Sequence, residues 1–203
     1  ALPEHLYGFN GFANINYQKG DFRAGIRYES YLNTLEGYPS TFSGTGIGYR
    51  FISWNSDNLG VTIGNFYNQF GSGMIFRAYE ERQLGIDNSL DGIRINYEPL
   101  RGVNLKGMIG KQRHRFEDGL INGNGIVRAI DGELNINELF DSANNWKLKA
   151  TLGGSFVSKF NTDNNTTLFN MPKNVGASSL RLNLRYKRLR FSGEYVYKIN
   201  DPY

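Results

Sequence analysis

Apolar and polar side chains alternate with a period of two along most of the chain. Within residues 6–18, Tyr7, Ile15 and Tyr17 fall on one side of this alternation, and Asn14 falls on the other. Because successive side chains of a strand point to opposite faces, such segments are strands with one apolar and one polar face. About ten of them follow one another without a linker, which predicts a single all-β domain over residues 1–203.

The composition excludes several kinds of functional site. The chain has 25 Gly, 13 Tyr and 14 Phe but no Cys, so it holds no disulfide, thiolate metal site or cysteine nucleophile. It has only two histidines, which argues against a histidine-rich metal site. The net charge of +4 is dispersed along the chain, so no nucleic-acid partner is predicted. No cofactor is predicted either.

The same alternation suits a soluble sandwich or a barrel in a membrane, and three features favour the membrane. The polar faces combine charge with glycine, as in the crowded interior of a barrel. Aromatic residues end the apolar runs, as Phe22 and Tyr28 do, at the spacing of the two membrane interfaces. Short and long connections alternate. We therefore predict a transmembrane antiparallel up-and-down β-barrel in the bacterial outer membrane, with lipid as its surroundings.

The connections also bear on the size of the barrel. The short ones are 19–21, 55–58, 99–102, 139–145 and 187–188, and the long ones are 32–43, 65–91, 113–125 and 159–177. If the short turns are periplasmic, the first strand runs inward from the outside, whereas bacterial barrels normally have both termini inside. This predicts that the chain is part of a larger barrel. The alternative is a closed barrel of about ten strands with inverted loop lengths.

Each strand contributes side chains to two predicted faces. The charged residues predicted to face the lumen are Arg23, Arg27, Glu29, Arg50, Arg94, Lys106, Asp131, Glu133, Lys147, Lys149, Arg181, Arg185, Arg190 and Glu194. The residues predicted to face lipid are Tyr7, Phe9, Ile15, Tyr17, Phe22, Ile26, Tyr28, Ile47, Tyr49, Val61, Ile63, Ile93, Ile95, Leu105, Leu148, Leu182, Leu184 and Tyr195. The excess of cations suits an anion-selective pore, or a packed ladder in which Asp131 and Glu133 pair with Lys147 and Lys149.

The segment at 65–91 interrupts the alternation and is too apolar for a freely solvated loop. Part of it, at 75–84, has the composition of a short helix. We expect it to fold into the lumen as a constriction or to contact a partner; an external loop with its own small apolar cluster is the alternative. The residues expected to form the constriction or the partner contact are Phe66, Tyr67, Phe70, Met74, Phe76, Arg77, Glu80 and Arg82.

This segment also carries a resemblance. The run GNFYNQFGSGMIFRAYEERQLGIDNSLDGIR at 64–94, with YESYL at 28–32 and GYP at 37–39, resembles an uncharacterised family of outer-membrane β-barrel proteins of Bacteroidota. The resemblance covers most of residues 1–135. It implies a fold and a location, and no activity.

Two weaker patterns point to other chemistry. Asp87, Ser89, Asp91 and Glu98 have the spacing of a calcium loop, but Arg94 stands where such loops place an apolar residue. The alternative is a polar turn that leads into a strand, and no metal site is predicted. His114 is a conceivable base for a serine hydrolase, yet nothing in the sequence places a serine and an acid beside it.

These observations predict a protein that is not an enzyme. The expected role is that of a structural or accessory subunit of a cell-envelope complex for secretion, assembly or transport, with other envelope proteins as partners. The alternative is a porin-like channel for small solutes, with the 65–91 segment as its constriction.

Overall fold

The computed structural model describes residues 7–33, 42–140, 145–161 and 172–199. The first four strands are β1 (Phe9–Lys19), β2 (Phe22–Leu32), β3 (Phe42–Asn55) and β4 (Leu59–Phe66). Four two-residue strands follow, namely β5 (Asn68–Gln69), β6 (Arg77–Ala78), β7 (Glu80–Glu81) and β8 (Ile86–Asp87). The last six are β9 (Leu90–Leu100), β10 (Val103–Glu117), β11 (Leu120–Asn135), β12 (Leu148–Phe160), β13 (Asn174–Tyr186) and β14 (Leu189–Lys198).

The ten long strands form one antiparallel sheet whose order follows the chain, from β1 to β4 and then from β9 to β14. This confirms the predicted all-β, up-and-down arrangement of ten strands. Helical structure among the described residues is limited to a 3-10 turn at Arg82–Leu84 and the short helix α1 (Ile136–Leu139). None of the described helices is long and apolar enough to span a membrane.

The sheet is strongly curved, so that it has a concave and a convex face. The start of β3 pairs in parallel with the end of β10, Phe42 opposite Phe116, although β4 and β9 separate these strands elsewhere. Tyr31 of β2 packs edge-on against both of these rings. The curvature therefore brings the start of β3 against the end of β10, beyond the ends of the shorter strands β4 and β9.

The two faces differ in chemistry. The convex face presents exposed apolar side chains along every long strand, including Ile15 at 75% and Leu180 at 68% exposure. The concave face buries polar and charged residues, among them Glu29, Asp131 and Arg181. Buried charges beside exposed apolar side chains are unusual for a water-soluble protein, and the same concave side also buries an apolar cluster.

The segment between β4 and β9, which we call the insert (67–89), packs on the concave face. It contains two small sheets, β5 with β6 and β7 with β8. The hydrophobic cluster between the insert and the wall of the sheet consists of Phe66, Phe70, Leu90, Met108, Val127, Ala129 and Val157, with Ile75 and Phe76 packed against it. The helix predicted at 75–84 is wrong except for its last turn, because strand pairing of Arg77, Ala78, Glu80 and Glu81 takes its place.

A bulge between β2 and β3 reverses two predicted orientations. Arg27 pairs with Tyr49, but the next residue, Tyr28, pairs with Ile47, so that Gly48 is the extra residue of β3. Tyr49 therefore lies on the concave face rather than with the apolar residues. Arg50 points the other way, and its side chain is 52% exposed. A one-residue shift moves side chains to the opposite face, and the alternation alone does not reveal it.

The polar stretch at 113–125 is strand and not the long loop that its composition predicts. β10 continues to Glu117, β11 begins at Leu120, and only Asp118 and Gly119 turn between them. Both turn residues have positive φ, at 51° and 139°. The stretch is polar because its side chains reach a polar interior, as the placement of Arg113 below shows.

Candidate functional site

Four charged side chains form a buried cluster between the sheet and the insert, which we call the arginine–carboxylate cluster: Arg27, Glu29, Asp87 and Arg113. Arg27 donates from Nε to Oε1 of Glu29 at 2.7 Å and from Nη2 to Oδ2 of Asp87 at 2.7 Å. Arg113 donates from Nη2 to Oε2 of Glu29 and from Nη1 to Oδ2 of Asp87, both at 2.7 Å. Two guanidinium groups thus bridge two carboxylates, which makes the cluster neutral.

Two tyrosines extend this cluster. The Tyr31 hydroxyl donates to Oε2 of Glu29 at 2.9 Å, and the Tyr67 hydroxyl donates to Oδ1 of Asp87 at 3.0 Å. Burial and the charge of Asp87 raise the pKa of Tyr67 above its usual range, so that its hydroxyl stays protonated as a donor. The Tyr67 ring stacks on Tyr49 with 5.3 Å between centroids. The insert is therefore held to the sheet by charge, hydrogen bonds and ring contact together.

The sheet makes room for the cluster at Gly48. A Cβ at this position would overlap the carboxylate of Glu29, which lies across the bulge. The Gly48 carbonyl also accepts from Nη1 of Arg113 at 3.2 Å. Since Glu29 follows Arg27 by two residues, both side chains lie on the same face of β2, and the missing side chain of Gly48 lets Glu29 reach Arg113.

A second contact anchors the turn between β5 and β6 of the insert to the far side of the sheet. Ser72 donates from its backbone nitrogen at 3.0 Å and from its hydroxyl to Oε2 of Glu194 on β14. Gly71 lies against the side chains of Arg181 and Glu194, and a Cβ there would overlap them. The insert therefore crosses the concave interior from β2 and β10 to β13 and β14.

A smaller group of buried polar side chains lies next to this anchor. Arg181 on β13 binds both Ser155 and Asp131, and the Ser155 hydroxyl donates to Asp131 at 2.6 Å. Lys106 approaches Asp131 at 3.8 Å. The predicted ladder of Asp131 and Glu133 with Lys147 and Lys149 is wrong, because the register places Ser155 opposite Asp131 and Gly153 opposite Glu133. Arg181 takes the place of the lysines at Asp131.

The other predicted charged residues divide into three groups. Arg94 is part-buried on the concave face, donating to the Tyr67 carbonyl at 3.1 Å and to the Thr62 hydroxyl at 3.1 Å. Exposed on the concave face, mostly near the short turns, are Arg23, Glu133, Lys149, Arg185 and Arg190, and Lys147 lies in the connection before β12. Arg50 lies on the convex side and contacts Asp91 at 3.2 Å.

The predicted apolar face keeps its residues together, apart from Tyr49. On the convex face lie Phe9, Ile15, Tyr17, Phe22, Ile26, Tyr28, Ile47, Val61, Ile63, Ile93, Ile95, Leu105, Leu148, Leu182, Leu184 and Tyr195. Tyr7 is exposed just ahead of β1. Most of these side chains are exposed, and those of Val61, Leu182 and Leu184 are half-buried.

The residues predicted to act in the insert have unequal roles. Phe66 and Phe70 are buried, and the rings of Phe70 and Phe76 lie 5.2 Å apart. Glu80 accepts from Arg27 and from Arg82, each at 2.9 Å, and Arg82 also lies over the Phe12 ring. Arg77 stacks on Tyr79, and Met74 is 64% exposed. Arg113 is not among the predicted site residues, because the stretch that contains it has the composition of a loop. The structure places it in β10.

The calcium-like spacing does not bring oxygen ligands together. Asp87 is occupied by two arginines, a tyrosine and the Ser89 backbone nitrogen. Asp91 and Glu98 lie in the extended strand β9 rather than in a loop. Within the described ranges, no group of three or more histidine or acidic side chains is placed to hold a metal ion.

His114 is exposed in an open pocket beside Arg113, Arg115 and Asn122. The described residues that line this pocket include neither a serine nor a carboxylate. The arrangement needed for a serine hydrolase is therefore not assembled around this histidine in the described part of the chain.

Comparison with known proteins identifies a family. The model of a family of unknown function, DUF6029, matches residues 2–203. No curated protein matches the chain. The match extends over both the arginine–carboxylate cluster and the insert, and it carries no statement about bacterial phylum, location or activity.

Proposed function

Since the chain belongs to the DUF6029 family of unknown function, we propose its role from the structure: a non-enzymatic, integral outer-membrane β-barrel protein of Bacteroidota. In this proposal the curved sheet forms the wall of the barrel and the insert occupies its interior. The protein serves as a structural or accessory subunit of a cell-envelope complex for secretion, assembly or transport.

The main support for the membrane location is the exposed apolar surface of the convex face. Exposed apolar side chains continue across the sheet, from Ile15 on β1 through Ile63, Ile95 and Ile130 to Tyr195 on β14. A soluble monomer rarely exposes a contiguous apolar patch of more than a few hundred Å². Lipid would cover such a band of apolar side chains along all the strands, with no need for a protein partner at each strand.

A level of aromatic residues supports the same proposal. Phe22 pairs with Trp54, and Tyr97 and Tyr186 take equivalent places at the ends of their strands next to the short turns. The exposed aromatic residues at this level are Tyr17, Phe22, Trp54, Tyr97, Trp146 and Tyr186. Aromatic side chains concentrate where lipid tails meet headgroups, because one end of the ring is apolar and the other end is wet.

The filled interior favours a structural role over conduction. The insert is fixed through Asp87 by Arg27 and Arg113 and through Ser72 by Glu194, and its Phe70 is buried. A segment held in this way blocks the part of the interior that lies away from the short turns. The sheet also has two edges, β1 and β14, among the described strands. Backbone groups at an edge need partners inside a bilayer, so completion by further strands or by a partner protein fits an assembly.

The test of the membrane location uses the full-length protein expressed in its own host or in a related bacterium. We expect it in the outer-membrane fraction after an alkaline wash, and we expect its gel migration to change on heating as folded barrels do. A protein that stays soluble and monomeric without detergent would overturn the proposal.

A porin-like channel is the second candidate, and one observation favours it. Four exposed cationic side chains line the concave face near the short turns, below the insert: Arg23, Lys149, Arg185 and Arg190. A basic, wet interior would select anions. Planar-bilayer recording separates the two roles. No steady conductance is expected for the structural role, whereas steady anion-selective conductance would establish the channel.

A further inference from the structure

A pocket of 410 Å³ opens on the concave side between the insert and the wall formed by β11 to β14. Its floor is apolar and consists of the buried side chains of Leu90, Val127 and Val157, with Phe76 beside them. The volume falls in the range of about 300–1,000 Å³ that is typical of small-molecule sites. The pocket lies apart from the arginine–carboxylate cluster and plays no part in the function proposed above.

The rim of this pocket is cationic. Arg77, Lys159 and Lys198 line it, all three are exposed, and the described lining residues include no carboxylate. The guanidinium of Arg77 lies 4.1 Å from the ring centroid of Tyr79, which fixes it beside the opening. Neither Arg77 nor Lys159 forms a salt bridge with any described residue, in contrast to the neutralised arginines of the cluster.

We propose that this pocket binds a single-chain amphiphile with an anionic head, of the chemical class of a medium-chain fatty carboxylate. The alkyl chain lies on Leu90, Val127 and Val157, and the carboxylate meets Arg77 and Lys159 at the rim. The apolar floor alone would accept any small apolar molecule. The cations at its edge give the preference for a negative head, because a charge-assisted hydrogen bond is about twice as strong as a neutral one.

The test uses decanoate that carries a photoreactive diazirine near the end of its chain, with the full-length protein in detergent. After irradiation, mass spectrometry locates the labelled peptides. We expect label on the peptides that contain Phe76 and Val157. Unlabelled decanoate is expected to compete at least about tenfold better than decyltrimethylammonium, which has the same chain and the opposite charge.

Charge reversal supplies the matched comparison. In the double variant Arg77→Glu, Lys159→Glu we expect the label at the pocket to fall roughly tenfold. Lys149→Glu reverses one cation at the other end of β12, as Lys159→Glu does at the pocket, and is expected to leave the labelling unchanged. All these side chains are exposed, so the variants should keep the fold, and heat-dependent gel migration verifies this.

Three results would overturn the proposal. They are equal competition by decanoate and the cationic amphiphile, label found only on peptides of the convex face, and undiminished label in the double variant. The first would mark a general apolar cavity, the second simple partition into the detergent-covered surface, and the third a site in which these cations have no role. None of them bears on the membrane location, which has its own test.

Discussion

Nη2 of Arg113 lies 2.7 Å from Oε2 of Glu29, although the two residues are 84 positions apart in the sequence. Three strands, β3, β4 and β9, lie between their strands in the order of the sheet. The contact exists because the sheet curves and because Gly48 leaves space beneath Glu29. Arg113 and Arg27 also bind Asp87 and thereby hold the insert on the concave face.

Arg113→Met should lower the free energy of unfolding by about 3–5 kcal/mol, because it leaves the buried carboxylates of Glu29 and Asp87 short of a counter-charge. Denaturant unfolding of the protein in detergent measures the change. Arg115→Met is the control on the same strand, since Arg115 is half-exposed and, among the described residues, forms a salt bridge with Glu117 alone, at 3.5 Å. It should cost less than about 1 kcal/mol. Equal effects of the two variants would contradict the importance of the cluster.

Phe70→Ala should destabilise the protein by about 3–5 kcal/mol, because the ring is completely buried between the insert and the sheet. Met74→Ala removes a large apolar side chain four residues later in the same insert, but this side chain is 64% exposed. Its effect should stay within about 0.5 kcal/mol. The same unfolding experiment compares the two. A Phe70 variant as stable as the Met74 variant would show that the insert does not pack on the wall in solution.

Gly48→Ala should cost about 1–3 kcal/mol, because the new methyl group overlaps the Glu29 carboxylate and moves it away from its arginines. Gly107→Ala adds the same methyl group where no atom lies within 4 Å, on the convex face. That variant should be close to neutral. The midpoint of denaturant unfolding distinguishes the two, and a neutral Gly48 variant would mean that the cluster tolerates displacement of Glu29.

Leu152→Arg should destabilise the protein in lipid bilayers by about 2–4 kcal/mol, because its side chain lies in the middle of the proposed lipid-facing band. Thr151→Arg is its neighbour and points to the concave face, opposite Asn135 and Asn183. It should have a much smaller effect. Reversible unfolding from vesicles measures both, and similar values would argue that the convex face does not contact lipid.

Alternation was sufficient to predict the ten-stranded meander, since each strand has one apolar and one polar face. It was insufficient for Tyr49, because a bulge depends on how two strands pair and not on the sequence of either one. It also failed at Arg113, because a polar interior makes a strand resemble a loop in composition. Arg27 and Glu29 were correctly assigned to one face, but their partner Asp87 lies about 60 residues away, and no local pattern links them.

The order of the sheet has a kinetic consequence. Almost every strand pairs with its neighbour in the chain, so hairpins are able to form one after another at a small cost in loop entropy. A few contacts join distant segments: Phe42 with Phe116, Glu29 with Arg113, and Ser72 with Glu194. We expect these to form last, after the insert has reached the concave face, and variants that remove them should accelerate unfolding more than they slow folding.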